Sequence, residues 1–303
     1  MRCLRLIVSG MLSVWLGVTI VFFALRLLPG DALQAQLSMS GASQDVVEMR
    51  RAAQGLNEPV VSQYIRYLTE LLRGNMGRSL SSGETVADAL ARSLPYTSNL
   101  AVGAGTVAAG LGIGLGVAGA HNNRVISTGA RGLISLSLSV PIYWSGIIVI
   151  YLVSVRLALL PAVGGGSAAH LILPISVLGF HTAGAIARIT LASVRSAAQA
   201  EFTLTARAKG LNEWHVMTRH ILPVGLLPVV STLALQIGFL LGGTVVTESM
   251  FVRPGIGRLL LDAVIKQDYP VVQGVVLFSA VAYVLVNTVT NLLYDYLDPR
   301  VSQ

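Results

Sequence analysis

Only two lysines occur in this 303-residue chain, Lys209 and Lys266, and the residues before them are Ala208 and Ile265. A phosphate-cradling loop needs glycines that let backbone N–H groups reach the phosphates, followed by Gly-Lys-Ser or Gly-Lys-Thr. That string is absent, so any ATP hydrolysis that drives this protein belongs to another chain. A zinc peptidase helix needs His-Glu-x-x-His and a serine hydrolase elbow needs Gly-x-Ser-x-Gly, and neither string occurs. The five histidines, His121, His170, His181, His215 and His220, form no compact ligand cluster in the sequence. Cys3 is the only cysteine, which excludes an internal disulfide and a cysteine-based metal or redox pair. These residue types point away from an enzyme.

What remains are isolated polar groups beside or within apolar runs. His181 and Arg188 lie seven residues apart in one run and so share a helical face. Ionisable groups at membrane depth are costly and usually face a cavity, a partner or the interface. Arg188, nearer one end of the run, can snorkel. His181 sits deeper and is a candidate translocation-pathway residue, with a hydrogen-bonded packing role as the alternative. Glu248 follows another run, beside Thr244 and Thr247. It either lines the mouth of a pathway or pairs with Arg253 or Arg258.

The elements that must position these groups are set by composition. Hydrophobic residues make up 53% of the chain and charged residues 12%, with a mean hydropathy of +0.70. Soluble domains carry about a quarter charged residues. Six apolar runs approach the ~20 residues a helix needs to cross a hydrocarbon core. They are Leu6–Leu28, Ser98–Ala120, Leu133–Val155, Leu171–Val194, Val224–Val246 and Val271–Leu293. The expectation is an all-α integral membrane protein with six transmembrane helices, organised as a first helix over 1–28, a polar segment over 29–96 and a five-helix core over 97–298. The polar segment predicts amphipathic helices near Asp45–Gln54 and Val60–Leu72 and a break at Ser81–Gly83. Arg2 and Arg5 before the first run have the order of a signal peptide. The run is too long for that, and Ala24-Leu25-Arg26 is a poor cleavage site, so a retained helix is expected.

The formal charge of +7 is dispersed, largely at the ends of the apolar runs, which suits lipid headgroups and topology rather than nucleic acid. Basic residues in the short connections favour a cytoplasmic position for both termini and for the 195–223 connection, with 29–96 outside. Within that connection, Ala206 to Lys209 favours helix, Gly210 can end it in a left-handed cap, and Asn212 can cap a following helix. Small residues such as Thr205, Ala206 and Ala208 permit close approach by another surface, and Arg207 and Lys209 offer it cationic handles. The alternative is an ordinary basic loop with a turn glycine. In the second run, Gly110 with Gly114 and Gly112 with Gly116 allow helix backbones to approach, either within this subunit or against a second one.

The stretch Thr205-Ala206-Arg207-Ala208-Lys209-Gly210, closed by His220-Ile221-Leu222-Pro223, resembles the cytoplasmic loop of ABC importer permeases in its dipeptide/oligopeptide/nickel version. The general motif places glutamate and alanine where this chain has Leu204 and Thr205, a departure shared with that branch. Four further stretches carry the same resemblance: Leu27-Leu28-Pro29-Gly30-Asp31, Leu71 to Ser79, Pro254 to Leu260 and Asp268 to Gln273. Tyr296-Leu297-Asp298-Pro299-Arg300 adds a fifth.

The resemblance implies a type I ABC importer permease of the bacterial inner membrane, with a large extracytoplasmic segment after the first helix. It implies a coupling helix docking on a separate ATPase, with Glu201, Thr205, Ala206, Arg207, Ala208, Lys209, Gly210 and Leu211 as the docking residues. The implied partners are a second homologous permease, two ATPase subunits or domains, and an extracytoplasmic solute-binding protein. No cofactor is expected in this chain; ATP and Mg belong to the ATPase subunits. The cargo class stays open among peptides, nickel or a metal chelate, opines and glutathione-like solutes. The competing readings are a passive channel or ion-coupled carrier working without ATP, and a membrane scaffold without flux.

Overall fold

The computed structural model describes residues 2–27 and 57–297, together with the isolated helical positions 45, 48 and 49. Apart from those three positions, the expected Asp45–Gln54 helix lies outside the described residues. So do residues 28–31 of the Leu27–Asp31 stretch and 298–303 at the end of the chain.

Helix α1 is Arg2–Leu27, and α2, Val60–Leu72, matches the amphipathic helix expected in the polar segment. A bridge between Arg78 and Thr85 closes a turn before α3, Val86–Ala120. This helix starts before the expected Ser98 and carries Pro95 inside it. Then come α4 (Arg124–Ser139) and α5 (Ile142–Val149), the latter continued by a π-helical turn over Ile150–Arg156. Next are α6 (Ala169–Gln199), α7 (Glu201–Ala208) and α8 (Glu213–Val216). A π-helical turn over Met217–Ile221 leads into α9 (Leu222–Gly225) and α10 (Leu227–Gly243). The chain closes with α11 (Val245–Met250), α12 (Ile256–Ile265) and α13 (Tyr269–Leu297).

Among the described residues, four helices are long and apolar enough to cross a bilayer: α1 over Val8–Leu27, α3, α6, and α13 over Tyr269–Thr290. Two bent helix pairs bring the total to as many as six when each pair is counted as one span, the number expected from the sequence pattern. The third span turns by 104° between Ser139 and Ile142, and the fifth by 52° at Gly225–Leu227. Proline is the physical cause at the first break. Pro141 has no N–H to continue the ladder, and its ring crowds the preceding turn. At the second break Pro228 sits in the first turn of α10, where a missing N–H is tolerated.

The described chain divides into two compact units, 1–95 with 254–284, and 96–253 with 285–303. In the first, Leu25, Val86, Leu90, Ile256, Ala263, Val271, Val272 and Val275 form the core. The α2 helix is fastened to α1 by Arg26 to Gln63 Oε1 at 3.0 and 3.2 Å and by the Thr19–Tyr64 hydroxyl pair at 2.6 Å. The Arg26 guanidinium lies 3.4 Å over the Phe22 ring.

In the second unit α6 is the central element, burying residues from Leu173 to Ala197. It meets α3 through glycine. A Cβ at Gly112 would lie 2.7 Å from Ile186 and 3.1 Å from the Ala183 carbonyl, and one at Gly116 would lie 2.4 Å from Thr190. Gly112 and Gly116 therefore serve packing inside this chain, while Gly110 and Gly114 have open space beside them. Arg131 and Arg195 donate to the Gly119 carbonyl at the end of α3, so two of the basic connection residues also neutralise a helix C-terminus.

Candidate functional site

The connection after α6 is built as a rigid corner. Ala200, extended at φ −72° and ψ 151°, is at once the C-cap of α6 and the N-cap of α7. The orphan carbonyls at the end of α6 are taken up from α7, by Thr203 Oγ1 to Ala197 O at 2.7 Å and Arg207 Nη1 to Ala198 O at 3.4 Å. Gly210 ends the turn at φ +79°, the left-handed conformation expected of it. Asn212 then accepts the His215 N–H at 2.7 Å and caps α8, also as expected.

Seven of the eight sequence-derived docking residues are open or partly open on this corner: Glu201, Thr205, Ala208, Lys209, Gly210 and Leu211 are exposed, and Arg207 is half-buried. Ala206 is different. It is 4% exposed and packs with Val194, Ala197, Val216 and Ile221, so its small side chain seats α7 on the chain's own helices. Arg207 is also committed internally, donating to both Glu213 carboxylate oxygens at 2.8 and 3.1 Å across the turn. Lys209 therefore remains as the exposed cation of the original pair. The sequence reading passed over Phe202, Leu204 and Trp214, which are exposed by 42%, 56% and 77%. The signal was available as large apolar residues within a stretch otherwise charged, with no run long enough to be a span.

His181 lies in the middle of α6 and faces the broken third span. Its Nδ1 is 3.0 Å from the Ser137 carbonyl and its Nε2 is 2.7 Å from Ser145 Oγ. Ser137 is the residue whose carbonyl a continuous helix would pair with the N–H of residue 141, and that residue is proline. Because a carbonyl can only accept, Nδ1 carries the proton. In the neutral ring Nε2 then accepts, and the single Ser145 hydroxyl proton is shared between it and the Ile142 carbonyl, to which Ser145 Oγ donates at 2.9 Å.

Glu248 sits on α11, fully buried, and its Oε1 accepts the hydroxyls of Thr97 at 2.6 Å and Thr244 at 2.7 Å. Arg253 is 1% exposed, with Nη1 3.3 Å from His170 O and its guanidinium 5.9 Å from the Tyr96 ring centroid. Among the described residues, Nε has no hydrogen-bond partner. Burial pushes the Arg253 guanidinium below its ordinary value, and the Glu248 carboxylate, then the Tyr96 phenol, pull it back up. The Glu248 carboxylate thus acts electrostatically on Arg253, one of the two arginines named for it from the sequence. Val252, beside it, holds φ +51°, a left-handed conformation that costs a β-branched residue about 1–3 kcal/mol.

One constellation was not foreseen. Asp268, 1% exposed, accepts from Ser79 Oγ at 2.5 Å, Ser81 Oγ at 2.9 Å and the backbone N–H groups of Leu80 and Ser81 at 3.0 Å. It joins the end of the Leu71–Ser79 stretch to the start of Asp268–Gln273. Both had been noted separately.

Residues 110–303 match the family model described as binding-protein-dependent transport system inner membrane component. A provisionally named peptide transport system permease protein of Brucella abortus (strain 2308) is 36% identical over 304 residues, covering 97% of this chain and 96% of that relative. The glutathione transport system permease protein GsiC of Escherichia coli (strain K12) is 35% identical over 283 residues, covering 93% and 92%. Among solved structures, an inward-facing form of the MetNI methionine ABC transporter aligns with a TM-score of 0.58 at 16% identity, covering 69% of this chain and 96% of that one. An amino acid ABC transporter aligns with a TM-score of 0.53, covering 71% and 94%. At such identities the structures speak to the fold, which is that of type I importer permeases. With relatives matched along nearly their whole length, the chain belongs to the inner-membrane permease components of binding-protein-dependent ABC importers.

Proposed function

We propose that this chain forms, with a homologous permease, the translocation pathway of an ATP-driven importer for peptides or a related small solute such as glutathione. The names of its relatives support that cargo class. An extracytoplasmic solute-binding protein delivers the solute. Separate ATPase subunits, holding ATP and Mg, drive the cycle, and this chain contributes no catalytic group. The positive-inside pattern supports cytoplasmic termini and a cytoplasmic position for the 195–223 connection.

The observation that carries the reading is the corner at Glu201–Val216. It exposes Phe202, Leu204, Leu211 and Trp214 beside Lys209, which suits a protein partner better than water. It is also fixed to α6 without a flexible linker, so a push on α7 reaches the membrane-spanning bundle. For hydrolysis to bias transport, the docked ATPase must favour different pathway states in its different nucleotide states. His181 and Glu248 enter this account as groups that hold pathway-forming helices together rather than as solute contacts.

Gly210→Pro tests the docking. Proline fixes φ near −65°, opposite in sign to the +79° found here, and removes the N–H that donates to Arg207 O at 2.9 Å. The variant is expected to insert in the membrane but to lose co-purification of the ATPase encoded with this chain. Retention of the ATPase at the wild-type ratio would overturn the assignment of this corner.

A further inference from the structure

The third span is broken where its proline leaves a carbonyl without a partner, and the group that fills the gap comes from another helix. We propose that His181 is a positioning residue that ties α6 to both sides of the Ser139–Ile142 break, so that movement of the 201–216 corner is passed to the broken span. Three observations carry this. Nδ1 bonds the Ser137 carbonyl on the α4 side, and Nε2 bonds Ser145 Oγ on the α5 side, so one ring spans the break. Gly184, one turn further along α6, lets α4 settle against it: a Cβ there would lie against Ser137 Oγ and 3.0 Å from Leu138 Cγ. The same helix runs on, about 27 Å at 1.5 Å per residue, to the corner at Ala200 that holds α7.

The chemistry explains why histidine suits the position. Leaving the Ser137 carbonyl unpaired in a nonpolar bundle costs more than a hydrogen bond gains in water. A ring with a donor on one edge and an acceptor on the other satisfies two partners with a single rigid group. Leucine or phenylalanine would fill the space and bond neither. Glutamine supplies an amide N–H for the carbonyl and an oxygen that can accept the Ser145 hydroxyl. A bent span held from outside itself can also change its bend when the holding helix moves, whereas a continuous ladder resists bending.

The transmission half of the proposal rests on the importer reading; the tie across the break does not. The single native cysteine makes a direct test practical. In a Cys3→Ser background, spin labels at Leu133→Cys and Ile147→Cys, both exposed on opposite arms of the break, report its angle in the complex with the partner subunits. With His181 intact, or replaced as His181→Gln, the label distance is expected to be narrow and to shift when the ATPase is trapped with ATP and vanadate. With His181→Leu the distribution broadens and the nucleotide-dependent shift is lost.

A narrow distribution in His181→Leu that still shifts like wild type overturns the proposal. If His181→Leu fails to accumulate, accumulation of His181→Gln at wild-type yield supports it, and equal loss of both variants counts against it. Failure of the wild-type complex to respond to ATP and vanadate at all would instead sink the importer reading and the transmission, while the width comparison would still decide the tie.

Discussion

A carboxylate buried against two threonine hydroxyls and an arginine is a costly arrangement unless each partner is held. Glu248 takes both hydroxyls on a single oxygen, and its charge supports a guanidinium whose Nε is itself unpaired. Removing the carboxylate strands these groups together. Glu248→Leu is expected to destabilise the detergent-purified chain by about 1–3 kcal/mol for each buried group left unsatisfied. Glu248→Gln keeps an acceptor for the threonines and costs less. Thermal unfolding of the two variants measures the difference, and identical melting of Glu248→Leu and wild type would contradict the pairing. The sequence offered Arg253 or Arg258 as a partner, whereas Thr97, 151 residues upstream, carried no signal. His181 shows the same limit. Its depth in an apolar run marked it as unusual, but only the fold reveals that it faces the carbonyl orphaned by Pro141.

At the scale of elements, spans were legible and joints were not. Apolar length located the four long spans and the two bent pairs, and Gly210 and Asn212 announced the turn and cap they form. Pro141 signals a break, yet neither the 104° turn nor the π-helical continuation can be read from a pattern that only counts apolar residues. Ala206, buried among the chain's own helices, shows a related limit. Small residues permit close approach on either face of a helix, and the face is decided by the corner at Ala200.

The Asp268 clamp shows how two loops distant in sequence become one joint, and it can be probed directly. Asp268→Ala removes the acceptor for four bonds from Ser79, Leu80 and Ser81, leaving the peptide bond between exposed Arg78 and buried Ser79 on a loosened turn. Tryptic cleavage there is expected to speed up by at least about tenfold, since several bonds of ~1 kcal/mol each oppose local opening. Asp268→Asn, which keeps an acceptor, should lie between. Unchanged cleavage in Asp268→Ala would show that the turn is held by other contacts.

For the molecule as a whole, the absence of a Gly-Lys phosphate loop and the presence of an exposed, rigidly mounted corner belong to one division of labour. On the proposed reading the engine is a separate ATPase, and this chain would turn its motion into a change of pathway. Family membership rests on matches along nearly the full chain. The most direct measurement is solute entry into sealed vesicles bearing this chain with the permease, ATPase and binding protein encoded beside it. Labelled glutathione and a labelled dipeptide serve as probes, with ATP on the ATPase side. The account predicts uptake of at least one probe that requires ATP and the binding protein and disappears when the ATPase is omitted. Flux through this chain alone in ATP-free vesicles, undiminished by leaving out the other subunits, would contradict it and return the protein to the class of channels or carriers.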